Sequence, residues 1–292
     1  ERLPLPGNTH ADGGKTPEIY GPGATEKRRG NRDGKVTYAP DAMLAETLKF
    51  MEENRNRPMF ILFSTNLPHG PVDIPPAENK YAGHPAIRQA YAGAAGGNRE
   101  CAGAAEEYAS MVDKLDRQVG AILAQVHKLG LEKRTIIVFS SDNGHELYYR
   151  TDKERGRGLN CHGGVLDGTG ELLDVFRGSR GLIGQKNAMV NLAGLKWTNH
   201  EGGIRVPLIV SWPGTVPHGK VCRSLVANYD HMATFAELAG VGMPEGKDSV
   251  SYKNMLFGKP SSQRDYVVVD HTVITGDGWK LTHKQDKWLL FQ

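Results

Sequence analysis

Asp142 and Asn143 set a carboxylate beside a carboxamide, directly after the apolar run Thr135-Ile136-Ile137-Val138-Phe139 and the serines Ser140-Ser141. Two oxygen-bearing side chains of this kind suit a hard cation, which draws its ligands from carboxylates, carbonyls and water. The run reads as a buried strand, and strands of open α/β sheets deliver ligand groups at their carboxyl ends, where loops open a crevice. Asp142-Asn143-Gly144 is also a good turn sequence, because Asn and Gly tolerate positive φ. His69, in Asn66-Leu67-Pro68-His69-Gly70-Pro71, follows a second apolar run and carries an imidazole that can change charge near neutrality. Lys196 lies a few residues before the pair Gly202-Gly203, and taken alone it reads as a solvated surface charge.

The elements that must position these groups alternate along the chain. Residues 1–38 read as loop. Pro40-Asp41 open a helix in which Met43, Leu44, Thr47, Leu48 and Met51 recur at helical spacing, ending near Asn54 to Asn56. Pro58–Thr65 reads as a buried strand and is followed by a long Gly/Ala/Pro-rich loop. Tyr108, Met111, Val112, Leu115, Val119, Ile122, Leu123, Val126 and Leu129 then mark an amphipathic helix closed by Gly130. With the strand at 135–140 this makes a strand–helix–strand unit, whose long crossover predicts parallel strands joined with right-handed chirality. Parallel strands end on one sheet edge, so His69 is expected to face the same crevice as Asp142 and Asn143.

From Gly144 to Gly184 the periodicity is lost, as in the long irregular loops that often carry function. Gly202-Gly203 then predicts a tight turn into a third strand at 206–212. A helix is expected from Asn228 to Ala239, with Met232, Phe235, Ala236 and Leu238 on its apolar side and Gly240 closing it. The short segments 265–270, 272–275, 279–283 and 287–291, separated by Gly, Asp and Lys, predict an antiparallel end piece.

Composition excludes several classes of partner. A net charge of +3 over 292 residues, with no dense basic block interleaved with aromatics, gives no basis for binding nucleic acid. Lys27-Arg28-Arg29 falls in a Gly-rich polar segment and reads as a solvated loop. No stretch approaches the roughly eighteen apolar residues of a membrane span. Cys101, Cys161 and Cys222 are odd in number and widely spaced, which indicates neither a disulfide framework nor a zinc site. The chain opens on Glu1 and stops inside a strand-like run, Trp288-Leu289-Leu290-Phe291-Gln292, so it reads as a fragment.

Several pieces now fall into one order: Tyr38-Ala39-Pro40-Asp41, the Pro58 run leading to Pro68-His69, and the Tyr108 helix with Leu115-Asp116. They continue with Ser141-Asp142-Asn143-Gly144, and with Lys196 followed by Glu201-Gly202-Gly203-Ile204-Arg205-Val206-Pro207. In that order and spacing they resemble the formylglycine-dependent sulfatases, the arylsulfatase-like branch of the alkaline-phosphatase superfamily, over nearly the whole chain. Ser141–Glu146, with a long insertion before Lys196, looks most like bacterial members acting on sulfated glycans. The resemblance implies an α/β fold, a largely parallel sheet flanked by helices with a small C-terminal antiparallel sheet, truncated at both ends. Residues 1–262 would form the α/β part and 263–292 the start of the antiparallel subdomain.

The resemblance also implies a sulfuric ester hydrolase. Asp142 and Asn143 match two calcium ligands of the family, His69 the histidine that bonds the sulfate and helps protonate the leaving oxygen, and Lys196 the lysine that binds the sulfate. These roles are chemically coherent, since attack at sulfur builds charge that a cation and a lysine stabilise while an imidazole supplies a proton. The implied cofactor is Ca2+, the implied partner a sulfated small molecule or glycan, and the implied location the periplasm or the exterior. The sequence departs from the family at the nucleophile, a formylglycine made from Cys or Ser in a C/S-x-P/A-x-R motif. None of the three cysteines and no serine heads that motif here, and the family's paired N-terminal aspartates are also missing. One cut ahead of Tyr38-Ala39-Pro40-Asp41 accounts for every gap, so the chain by itself is expected to be inactive. His200 stands where relatives often carry an aromatic. Two other readings are a phosphodiesterase or phosphonate monoester hydrolase on the same fold, and a non-catalytic binder of sulfated glycan; an upstream C/S-x-P/A-x-R motif separates them from the first.

Overall fold

The computed structural model describes residues 18–20, 27–29, 38–69, 74–92, 99–144, 196, 199, 201–243, 245–259, 264–284 and 287–291. The chain divides into two units, Glu1–Leu131 with Glu146–Leu192 and Glu132–His145 with Ala193–Gln292. The expected loop at 145–184 and Cys161 lie outside the described residues.

In the first unit, helix α1 spans Ala39–Glu53. Proline in its first turn has φ preset for a helix and no N–H to satisfy, and Asp41 places negative charge at the positive end of the helix dipole. Its buried face holds Ala39, Pro40, Met43 and Met51. Helix α2, Pro85–Ala92, lies within the stretch expected to be loop, and helix α3, Arg99–Lys128, begins well before Tyr108. The reason is alanine: Ala102, Ala104 and Ala105 favour helix and are small enough to be buried against Leu67, Ile74 and Ile87. Met111 and Tyr38 complete this core.

Polar contacts tie α3 to α1. Gln118 Nε2 donates to Pro40 O at 2.8 Å, and Lys114, itself buried, meets Asp41 at 2.6 Å and Glu78 at 2.5 Å while lying 5.3 Å from the centre of the Tyr38 ring. A buried lysine is tolerable only with such partners.

Two expectations for this unit are corrected. Glu18–Tyr20 (β1) and Lys27–Arg29 (β2) pair antiparallel, so the N-terminal stretch is not wholly loop. The sequence between them, with Gly21-Pro22-Gly23, has the turn chemistry such a pairing needs. Pro58–Thr65 joins no sheet among the described residues, and Phe60 and Leu62 stand 74% and 78% exposed. An apolar run favours extended backbone, but becoming a strand takes a neighbour to pair with.

In the second unit Ile137–Ser140 (β3) pairs antiparallel with Leu208–Ser211 (β4), Ser140 opposite Leu208 and Ile137 opposite Ser211. The parallel pair expected between Pro58–Thr65 and this strand is absent from the described residues. The glycine pair forms one helical turn, Glu201–Ile204 (α4), with Gly202 and Gly203 buried. Helix α5 runs Asp230–Ala239 and ends at Gly240 with φ 69°, a left-handed stop that glycine takes without strain. Its buried face is Asp230, Ala233 and Thr234, whereas Met232 is 49% exposed. Burying Asp230 is possible because Arg264 meets it. A further short turn, Lys253–Leu256 (α6), packs near α5.

The C-terminal segments form the expected antiparallel sheet in sequence order, Tyr266–Val269 (β5), Thr272–Thr275 (β6), Lys280–Lys284 (β7) and Lys287–Phe291 (β8). Thr272 and Thr282 sit opposite each other on its buried face and share a 2.6 Å hydrogen bond.

Candidate active site

Strand β3 stops at Ser140 because the next four residues bond to themselves and to their neighbours instead of extending the ladder. Ser141 Oγ donates to Asn143 O at 3.0 Å, and the Asn143 N–H donates to Asp142 Oδ1 at 2.9 Å. Asn143 Nδ2 donates to Gly144 O at 2.7 Å, which turns its carbonyl oxygen away from that bond. The Asp142 side chain is exposed, and its contacts in the corner fall on Oδ1. The result is two hard oxygen donors on adjacent residues of a corner fixed by its own hydrogen bonds.

Gly144 closes the corner against helix α4. Its N–H donates to Gly203 O at 2.8 Å, and a Cβ at this position would lie 1.9 Å from Gly202 O and 2.7 Å from Gly202 C. Both obstacles are backbone, so a side chain cannot be accommodated by a rotamer change. Gly144→Ala is therefore expected to destabilise this unit by about 1–3 kcal/mol or more. A lowered urea midpoint would show it, and an unchanged midpoint would mean that α4 packs farther away.

Lys196 is half-buried, in the segment that leads into α4. Just after Lys196, Asn199 and Glu201 tie the chain to the C-terminal sheet. Asn199 Nδ2 donates to Asp270 Oδ2 at 2.9 Å, in the β5–β6 turn, and Lys280 Nζ of β7 meets Glu201 Oε1 at 3.2 Å. The Asn199 bond holds the Asp270 carboxyl below the usual carboxylate range. The connection from sheet to α4 to Gly144 thus brings the Lys196 segment and the Asp142–Asn143 corner into one framework. His69 belongs to the first unit, where it is exposed and its N–H donates to Asn66 O at 2.8 Å. In the same turn, both polar atoms of the Asn66 carboxamide are buried without a hydrogen-bond partner among the described residues.

The sequence matches the sulfatase family model over residues 8–241. The chain belongs to the sulfatase family. A second match, to the C-terminal region of N-sulphoglucosamine sulphohydrolase, covers residues 196–287 and so takes in Lys196, α4 and most of the antiparallel sheet. This sulfatase chain is 28% identical over 179 residues to an N-acetylgalactosamine-6-O-sulfatase of Bacteroides thetaiotaomicron, 59% of this chain and 30% of that protein. It is 28% identical over 147 residues to an arylsulfatase of Klebsiella aerogenes, 46% of this chain and 29% of that protein. Its fold is that of Ps i-CgsB, solved in complex with k-i-k-neocarrahexaose, with TM-score 0.61 and 24% identity over 88% of this chain and 49% of that one. The sulfatase chain therefore spans less than a third of the length of the curated relatives it matches.

The donor types of the corner fit calcium in kind. Ca2+ takes about six to eight oxygen ligands, of which Asp142 and Asn143 can give two. Among the described residues no group of three or more His, Cys, Asp or Glu could hold a metal, so further ligands would have to come from other residues, from carbonyls or from water. Asn228, Asp270, Lys280 and Arg264, which support this framework, were not singled out by the sequence, since each acts through a partner distant along the chain.

Proposed function

We propose that this chain is the central and C-terminal part of the α/β domain (1–262) and the start of the antiparallel subdomain (263–292) of an exported sulfuric ester hydrolase acting on sulfated glycans. In this reading Asp142 and Asn143 hold Ca2+, Lys196 binds the sulfate, and His69 hands a proton to the leaving oxygen. A formylglycine nucleophile is contributed by sequence outside this chain, which contains no C/S-x-P/A-x-R motif. The observation that carries the reading is the family match across residues 8–241, joined to a corner that fixes two adjacent oxygen ligands after β3. The glycan substrate draws its support from the similarity to the N-acetylgalactosamine-6-O-sulfatase.

Calcium, when bound, would orient the sulfate and draw charge from its oxygens. The chain's own residues then have separate tasks. The Lys196 ammonium opposes charge that builds on the oxygens as the S–O bond breaks, and a neutral glycan hydroxyl departs only if a donor such as the His69 imidazolium protonates it. In the full-length protein, release of inorganic sulfate from a sulfated N-acetylgalactosamine saccharide is expected to stop with a chelator and return with Ca2+. No release, or release indifferent to the chelator, would refute the proposal.

A further inference from the structure

We propose that Asn228 is the positioning residue that aims the Asp142–Asn143 corner, an inference that rests on reading those two residues as cation ligands. Asn228 comes from a distant part of the chain, just ahead of helix α5. Its carboxamide meets two consecutive residues where the strand becomes the corner: Nδ2 donates to Ser141 O at 3.0 Å, and Oδ1 accepts from Ser140 Oγ at 3.2 Å. Using both ends of the amide fixes its orientation, because exchanging Oδ1 and Nδ2 would oppose two acceptors. The remaining bonds of Ser141–Gly144 among the described residues are internal, come from the adjacent Ser140 hydroxyl at 3.3 Å, or run to Gly203. Asn228 is thus the outside side chain that sets the direction in which the corner leaves β3.

Asn228 can hold the corner because it is held itself. Its carbonyl accepts from the His231 N–H at 3.3 Å. The neighbouring Ala227 N–H donates to Asp230 Oδ2 at 2.9 Å, and the Asp230 N–H returns a bond to Ala227 O at 2.9 Å. Asp230 is clamped in turn by the buried guanidinium of Arg264. A buried ion pair, the start of a helix and one carboxamide therefore form a continuous support that ends at the residue before Asp142.

Side chains that orient metal ligands without touching the metal typically contribute about 10–100-fold to its affinity. Calcium affinity of the full-length protein, measured by calorimetry and by terbium luminescence, is expected to fall about 10-fold in Asn228→Ala and less in Ser140→Ala. The double variant is expected to match Asn228→Ala, since both substitutions remove one shared bond. The thermal midpoint without calcium is expected to stay within about 2 °C of wild type, as for an exposed substitution. Wild-type affinity in Asn228→Ala overturns the proposal, and so does a loss of affinity that accompanies a collapsed midpoint. If the wild-type protein binds neither calcium nor terbium, the cation reading of Asp142 and Asn143 fails, and this inference fails with it.

Discussion

Replacing Arg264 with methionine is expected to lower the unfolding free energy by about 3–5 kcal/mol, the usual effect of removing one partner from a buried ion pair. The Asp230 side chain is 2% exposed and takes four donors. Arg264 Nη2 reaches Oδ1 at 2.5 Å and Nε reaches Oδ2 at 3.1 Å, while the N–H groups of Val250 and Ala227 each donate at 2.9 Å. Arg264 also reaches Asp248 at both its carboxylate and its carbonyl, and its guanidinium lies 4.6 Å from the centre of the Tyr229 ring. Methionine would fill much of the space yet leave the carboxylate buried with two amides and no counter-charge. Equilibrium urea unfolding measures the loss, and a change below about 1 kcal/mol would mean that water reaches the pair in solution. Because this pair anchors the start of α5, the variant is also expected to loosen Asn228 and the corner it meets.

Lys196→Ala is expected to lower turnover of a sulfate ester by on the order of 10²-fold in the full-length protein, the magnitude for removing one donor that stabilises transition-state charge. The lysine precedes Asn199 and Glu201, which Asp270 and Lys280 hold to the sheet, so the backbone that follows it is braced independently of substrate. Truncation then removes the ammonium without removing its support. Lys196→Arg keeps the charge but replaces a point cation with a planar fork, so partial recovery is expected. A wild-type rate in Lys196→Ala would return this residue to the solvated surface.

What the sequence made legible was mostly local. The four C-terminal strands appear nearly where alternation and turn residues put them, because each hairpin is written in adjacent residues. Helices α1 and α5 and the end of α3 were legible for the same reason, through apolar spacing and closing residues such as Gly240. Pairing was not legible. The run at Pro58–Thr65 has the composition of a strand but no partner among the described residues, and β3 takes β4, from a segment some seventy residues on, as an antiparallel neighbour. Helix α5 shows the same limit in another form. Apolar spacing pointed to Met232, but the buried face contains Asp230, whose burial depends on an arginine 34 residues away.

The candidate site divides in the same way. Asp142 and Asn143 were visible as oxygen donors at the abrupt end of an apolar run, and their corner is held largely by bonds between neighbours. Gly144 was visible only as a turn residue. That the carbonyl of Gly202 occupies the place of its side chain is a fact of tertiary packing. Asn228, Asp270 and Lys280 carried no local signal, since a lone asparagine, aspartate or lysine in a sequence reads as an ordinary surface residue.

The most direct measurement is the rate of sulfate release from a sulfated N-acetylgalactosamine saccharide by the full-length protein, wild type beside Asp142→Ala, at saturating Ca2+. Calcium-dependent release by the wild type, reduced on the order of 10²-fold in Asp142→Ala, is the predicted result. Equal rates in the two proteins, or a wild type that releases no sulfate, would contradict the account.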